Sequence, residues 1–99
     1  MEITEKKNEG QIILAVSGQV DTVTSPELQK SILTSFQKVK DLVIDMSAVP
    51  YMSSAGLRAL LIGQKTATSK GGTMTLTGVT DTVMQVFEMS GFSKVLNIK

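Results

Sequence analysis

The chain has 99 residues and contains no cysteine, no histidine and no tryptophan. Without cysteine there is no disulfide, no thiol nucleophile and no zinc–thiolate site. Without histidine there is no imidazole general base. The lack of cysteine also fits a reducing cytoplasm, which is the expected location. Aromatic rings are scarce: Phe36, Tyr51, Phe87 and Phe92 are the whole set. No basic block is interleaved with them, and a formal net charge of +1 is too small for a nucleic-acid or anionic-membrane footprint. Neither nucleic acid nor a membrane is therefore expected as a partner. Long apolar runs are missing too. The stretch from Leu57 to Gly63 is interrupted by Arg58 and falls far short of the ~20 residues that a membrane span needs. The first eleven residues are polar and mixed in charge, unlike a signal peptide.

What remains is 41% apolar, enough for a single domain over residues 1–99 with one core. Ile3 to Lys7 and Gln11 to Ser17 read as strands joined by the turn signal Asn8-Glu9-Gly10. The second is continuously apolar through Ile12-Ile13-Leu14-Ala15-Val16, so coverage on both faces is expected. Thr24 and Glu27 have capping-box spacing, Pro26 suits a first helical turn, and Leu28, Ile32, Phe36 and Val39 recur at helical steps. Leu42 to Met46 reads as a buried strand. A helix follows from Ser54 to about Lys70, with Leu57, Leu60, Leu61 and Gly63 on its inner face and Gly71-Gly72 as its stop. Met74 and Leu76 alternate with threonines in another strand. Thr80 or Asp81 opens a third helix carrying Val83, Val86 and Phe87, and Val95 to Ile98 can form a last strand. The order β-β-α-β-α-β-α-β implies an α/β fold with a mostly parallel mixed sheet packed with helices. Sites in such sheets collect beyond the carboxyl ends of the strands, where Gly18–Ser25, Ser47–Ser54 and Thr77–Asp81 are expected to meet.

Residues 45–61 carry most of the chemistry. A strand, a proline-containing turn and then Ser53-Ser54 place hydroxyls at a helix start, where unpaired amides and partial positive charge accommodate a phosphate. Helix chemistry alone makes Ser54 an N-cap. Arg58, the only arginine, lies four residues on along the same side, where it reaches back toward the serine or an acidic partner, or solvates the outer face. Asp21 orients the acceptor hydroxyl, contacts a partner or forms an Asx-type turn. The methionines are core filler, with Met52 alternatively an exposed contact beside the serines. Asp21, Asp45 and Asp81 make only a weak paired-carboxylate proposal, and no metal or cofactor site is expected. Met52-Ser53-Ser54-Ala55-Gly56 matches half of a Gly-x-Ser-x-Gly elbow but lacks its first glycine, and no histidine exists to activate the serine. Gly71-Gly72 has no Lys-Ser/Thr at P-loop spacing. An enzyme is not expected.

Two motifs give the chain a family likeness. Asp45-Met46-Ser47 followed by Tyr51-Met52-Ser53-Ser54-Ala55-Gly56-Leu57, and Gly18-Gln19-Val20-Asp21 followed by Thr24 to Leu28, resemble a STAS domain of the small bacterial anti-sigma factor antagonist type. The resemblance covers nearly the whole length. It implies a STAS-type fold and a protein that, unmodified, binds an anti-sigma factor that is also a serine kinase with a histidine-kinase-like ATPase fold. Phosphorylation at the serine opening the second helix ends the interaction, and a PP2C-type phosphatase reverses it. Aligning the family's Asp-Ser-Ser-Gly onto Ser53-Ser54-Ala55-Gly56 places the acceptor on Ser54, with Ser53 where an aspartate is frequent. Partner contacts are expected from Asp21, Thr22, Met52, Ser53, Ser54, Gly56 and Arg58. The alternative is a phosphorylation-independent STAS scaffold or sensor module in another bacterial signalling assembly.

Overall fold

The computed structural model describes residues 1–99. Strands β1 (Glu2–Asn8) and β2 (Gln11–Ser17) pair antiparallel with Asn8 opposite Gln11, so Glu9 and Gly10 form a two-residue turn. Gly10 has φ +68°, a left-handed backbone open to glycine without strain, while Glu9 keeps a negative φ. The chain then alternates: α1 (Ser25–Phe36), β3 (Asp41–Ala48), α2 (Ser54–Lys70), β4 (Thr73–Thr77), α3 (Asp81–Met89), a short 3-10 helix (Phe92–Lys94) and β5 (Asn97–Ile98). The sheet order is β1-β2-β3-β4-β5, parallel from β2 onward. This is the mixed α/β architecture that the element order implies.

One expectation about β2 fails for a topological reason. Ile12, Leu14 and Val16 are buried, while Ile13 is half-buried and Ala15 exposed. Register places Ile12 beside Leu42 and Leu42 beside Met74, then Leu14 beside Ile44 and Ile44 beside Leu76. All of these are buried and join the buried residues of all three helices in a single core. Strand order never reverses, so each crossover of one hand lays its helix on the same face. The other face carries Ile13, Val43 and the β4 threonines without a covering layer.

The start of α1 also differs from expectation. Thr24 is already helical in backbone (φ −93°, ψ −20°) and makes no side-chain cap. Its hydroxyl instead accepts from the Asp21 amide (2.9 Å), and Asp21 Oδ1 accepts from the amides of Val23 and Thr24 (3.0 Å each). The reciprocal pair is thus Asp21–Thr24, one turn upstream of Thr24–Glu27. At its other end, α2 closes on Gly71 (φ +71°), with the Gly72 amide donating to Ala67 O (2.9 Å) and that of Gly71 to Thr68 O (3.2 Å). Ala at Gly63 would put a methyl 2.7 Å from Met74 Sδ and 2.8 Å from Ile32 Cγ2, so this glycine sits at the expected close contact with α1 and β4.

Candidate partner-binding site

The three loops at the carboxyl edge of the sheet come together through the backbone. The Gly18 amide donates to Ala48 O (2.9 Å), that of Val20 to Tyr51 O (3.1 Å) and that of Ser53 to Val20 O (2.9 Å). Val20 and Met52 form an isolated parallel bridge, and both side chains are buried. The third loop joins through Thr80, whose hydroxyl donates to Val49 O (3.2 Å) and accepts from the Val83 amide (3.4 Å). Register shifts between Ala15 and Ser17, so β3 carries one extra residue near its end. Asp45 Oδ1 accepts from the Ser47 amide there (3.0 Å). Asp45 therefore has a local backbone task within β3 rather than at its end. No group of three or more Asp or Glu side chains could hold a metal ion.

Helix α2 presents its first turn to this edge. Ser53 is the N-cap in extended backbone (φ −85°, ψ 175°), and Ser54 is the first helical residue, exposed. Ser54 is therefore not the cap that helix chemistry alone suggests. The first helical bond runs from Leu57 N–H to Ser53 O (3.0 Å), and the amides of Ser54, Ala55 and Gly56 have no acceptor. Ser53 Oγ does not supply one: it is buried and has no hydrogen-bond partner. The turn contains no acidic side chain. Arg58 is exposed one turn further along, and the only ion pair in the molecule is Lys38–Glu5 at 4.0 Å.

Of the residues expected to contact a partner, Thr22, Ser54 and Arg58 are exposed, and Asp21 and Ser53 are partly so. Asp21 does form the Asx-type turn. The Thr24 amide, joined by the Thr24 hydroxyl and the Val23 amide against partial desolvation, holds its carboxyl below the usual carboxylate range. Met52 and Gly56 are corrections. Met52 is 1% exposed and packs in the core, so it offers no surface. Gly56 is buried beneath the turn, where a methyl would lie 2.8 Å from both Met52 Cγ and Val20 Cγ1. Their part in the motif is to let the Asp21 loop and the serine loop pack on each other.

Sequence reasoning missed two apolar residues at the same edge: Val23 is 85% exposed and Tyr51 45%. Val23 falls outside the helical period of Leu28, Ile32 and Phe36, and it sits among hydroxylated neighbours in a turn that cannot bury it. That break in periodicity was the available signal. Tyr51 sits beside Val20 through the backbone bond already described.

The family model described as the STAS domain matches residues 2–99. An anti-sigma-B factor antagonist of Listeria monocytogenes is 31% identical over 101 residues, covering 100% of this chain and 87% of the relative. A solved anti-sigma factor antagonist from Mycobacterium paratuberculosis superposes with TM-score 0.85 at 24% identity, over 98% of this chain and 83% of that one. The Bacillus cell fate determinant SpoIIAA in its phosphorylated form superposes with TM-score 0.77 at 18% identity, over 99% and 91% respectively. No helix here is long and apolar enough to cross a membrane. The loop edge built on Asp21 and the two serines thus lies within a chain that belongs to the STAS domain family.

Proposed function

We propose that the chain is an anti-sigma factor antagonist that, unmodified, docks a serine-kinase anti-sigma factor through the exposed edge around Ser54 and is released by phosphorylation of that serine. The observation that carries this reading is local: an exposed serine stands on the first turn of α2 beside three amides without acceptors, at the loop edge that also exposes Val23 and Tyr51. A phosphate on Ser54 brings ~1.5–2 negative charges to a helix start with no acidic neighbour in its first turn, so the fold accommodates it without rearrangement. Loss of binding then comes from clash and repulsion in the interface. Converting a mostly bound complex to a mostly free one takes about 5.5 kcal/mol of differential affinity. A multiply charged group inserted into a dry contact supplies this order of energy. Relatives named as anti-sigma factor antagonists, and a structural neighbour solved in a phosphorylated form, support the assignment. On this reading the chain works in the cytoplasm, performs no catalysis itself, and is restored by a PP2C-type phosphatase.

The test is to incubate the purified chain with ATP and the anti-sigma kinase encoded beside it, then to measure intact mass and complex formation. A single phosphate is expected on the wild type and on Ser53→Ala, none on Ser54→Ala, and the complex is lost only where phosphate is gained. Stable binding without modification would assign the chain instead to a phosphorylation-independent scaffold.

A further inference from the structure

Away from the serine edge, α2 borders an open groove of about 720 Å³ whose opposite wall is the C-terminal segment. Leu61, Ile62, Phe92 and Val95 line it, each only partly covered, and Val95 is 54% exposed. Arg58 and Lys65 also line it, and no acidic side chain does. The bias extends along the helix: α2 carries Arg58, Lys65 and Lys70 and has neither Asp nor Glu in its seventeen residues. Gln64, in the same lining, has its Oε1 buried with no donor, while its Nε2 reaches Thr68 Oγ1 at 3.5 Å.

We propose that this groove docks an acidic amphipathic helix of a partner protein, apolar on one face and bearing Glu or Asp beside it. From Arg58 to Ser69 the α2 wall runs ~16 Å, about three helical turns. Apolar anchors at i, i+3/i+4 and i+7 fall within that length. The flanking carboxylates meet Arg58 and Lys65. A second copy placing its own α2 across this face by a two-fold axis would set cations against cations. The trough is open, with Gln64, Thr68 and Ser69 among its lining, so it does not enclose an acyl chain as a lipid site does. The groove meets the serine edge only at Arg58; its apolar lining lies further along α2 and on the C-terminal segment.

The probe is a synthetic fifteen-residue helical peptide with leucines at heptad spacing and glutamates on both flanks. It is titrated into isotope-labelled protein and compared with the same peptide carrying lysines for glutamates. Amide shifts at Leu61, Ile62, Phe92 and Val95, with none at Ser54, and binding that weakens as salt rises are expected. Lys65→Glu lies on an exposed position; it is expected to weaken the glutamate peptide by about tenfold, which is 1.4 kcal/mol, and to strengthen the lysine peptide. Val95→Asp is expected to weaken both, with circular dichroism confirming that each variant stays folded. Equal binding of the two peptides, absence of groove shifts, or the same shifts produced by phosphatidylglycerol vesicles or by self-association alone would each overturn the proposal.

Discussion

Replacing Gly56 by alanine separates helix propensity from loop packing at the serine edge. Propensity alone makes the change favourable, by at most about 1 kcal/mol in a helix interior and less at the third residue of α2, where the end frays. Packing opposes it. The new methyl lies 2.8 Å from Val20 Cγ1, 3.4 Å from Val20 Cβ and 2.8 Å from Met52 Cγ. Val20 is fully buried and, as a β-branched residue, stiff at χ1; Met52 is 1% exposed and cannot swing into solvent. Overpacking of this kind costs roughly 1–3 kcal/mol, so the expected net loss is about 1–2 kcal/mol. For a domain of this size each kcal/mol lowers Tm by roughly 4–8 °C, and the urea midpoint falls with unchanged slope. Met52→Ala alone leaves a cavity and costs about 2–5 kcal/mol. In the alanine-56 background the new methyl occupies part of that space. The two losses are then less than additive, with a coupling of about 0.5–3 kcal/mol. A Gly56→Ala protein as stable as wild type, or strictly additive losses, would refute the packing account and leave the glycine to be explained by partner contact.

Three further outcomes follow from the same edge. Ser53→Ala is expected to be neutral or stabilising by up to roughly 1–3 kcal/mol, because Ser53 Oγ is buried without a partner; an ordinary N-cap serine loses about 0.5–2 kcal/mol instead, and urea denaturation tells the two apart. The depressed Asp21 carboxyl contributes stability that is full above its unfolded pKa, near pH 4, and lost as the pH falls through the lower folded value. Asp21→Asn is therefore expected to lower Tm at neutral pH, with the gap to wild type narrowing in acid; a constant gap counts against the Asx turn as its source. On the proposed function, Tyr51→Ala is expected to weaken partner binding by about 2 kcal/mol or more, as an exposed aromatic anchor does, while a surface change within ~0.5 kcal/mol keeps Tm within roughly 2–4 °C; calorimetry reads both.

Much of the architecture was legible because each element carried its own signal. Gly10 marked the hairpin, Gly71-Gly72 the end of α2, and the alternation of Met74 and Leu76 with threonine the fourth strand. Coverage of β2 was not legible, because the apolar run Ile12–Val16 is compatible with one covered face or two. Only the strand order, in which every crossover steps the same way, decides between them. The first cap was misplaced because Asp21, Thr24 and Glu27 are each three residues apart. Two capping boxes are possible on spacing alone, and the backbone of Thr24 selects the upstream one. At the site, the serines and the meeting of three loops were readable. Met52 could be read as core filler or as an exposed contact, and the burial of Gly56 was not readable, since a motif does not say which of its members face inward.

That last distinction explains how a tightly built serine motif could carry the proposed switch. Val20, Met52 and Gly56 form a dry joint between two loops, and the backbone bonds of Val20 and Ser53 fix its register. Ser54 stands immediately outside this joint, with none of its hydroxyl's hydrogen-bonding capacity engaged by the protein. A modification at Ser54 on the proposed function therefore meets amides that have no acceptor without crossing the packed joint, so the folded core has no reason to respond. The electrical change is nonetheless global for so small a chain. A net charge of +1 becomes about −1 once a phosphate contributes nearly two negative charges. On the proposed function, a partner surface that is acidic opposite Ser54 is then repelled at encounter as well as in contact, so association slows while dissociation speeds up. Measured by stopped flow on the unmodified wild type and its phosphorylated form, the association rate is expected to fall and its salt dependence to change sign. A phosphate that acts only by steric clash would leave the slope against ionic strength unaltered.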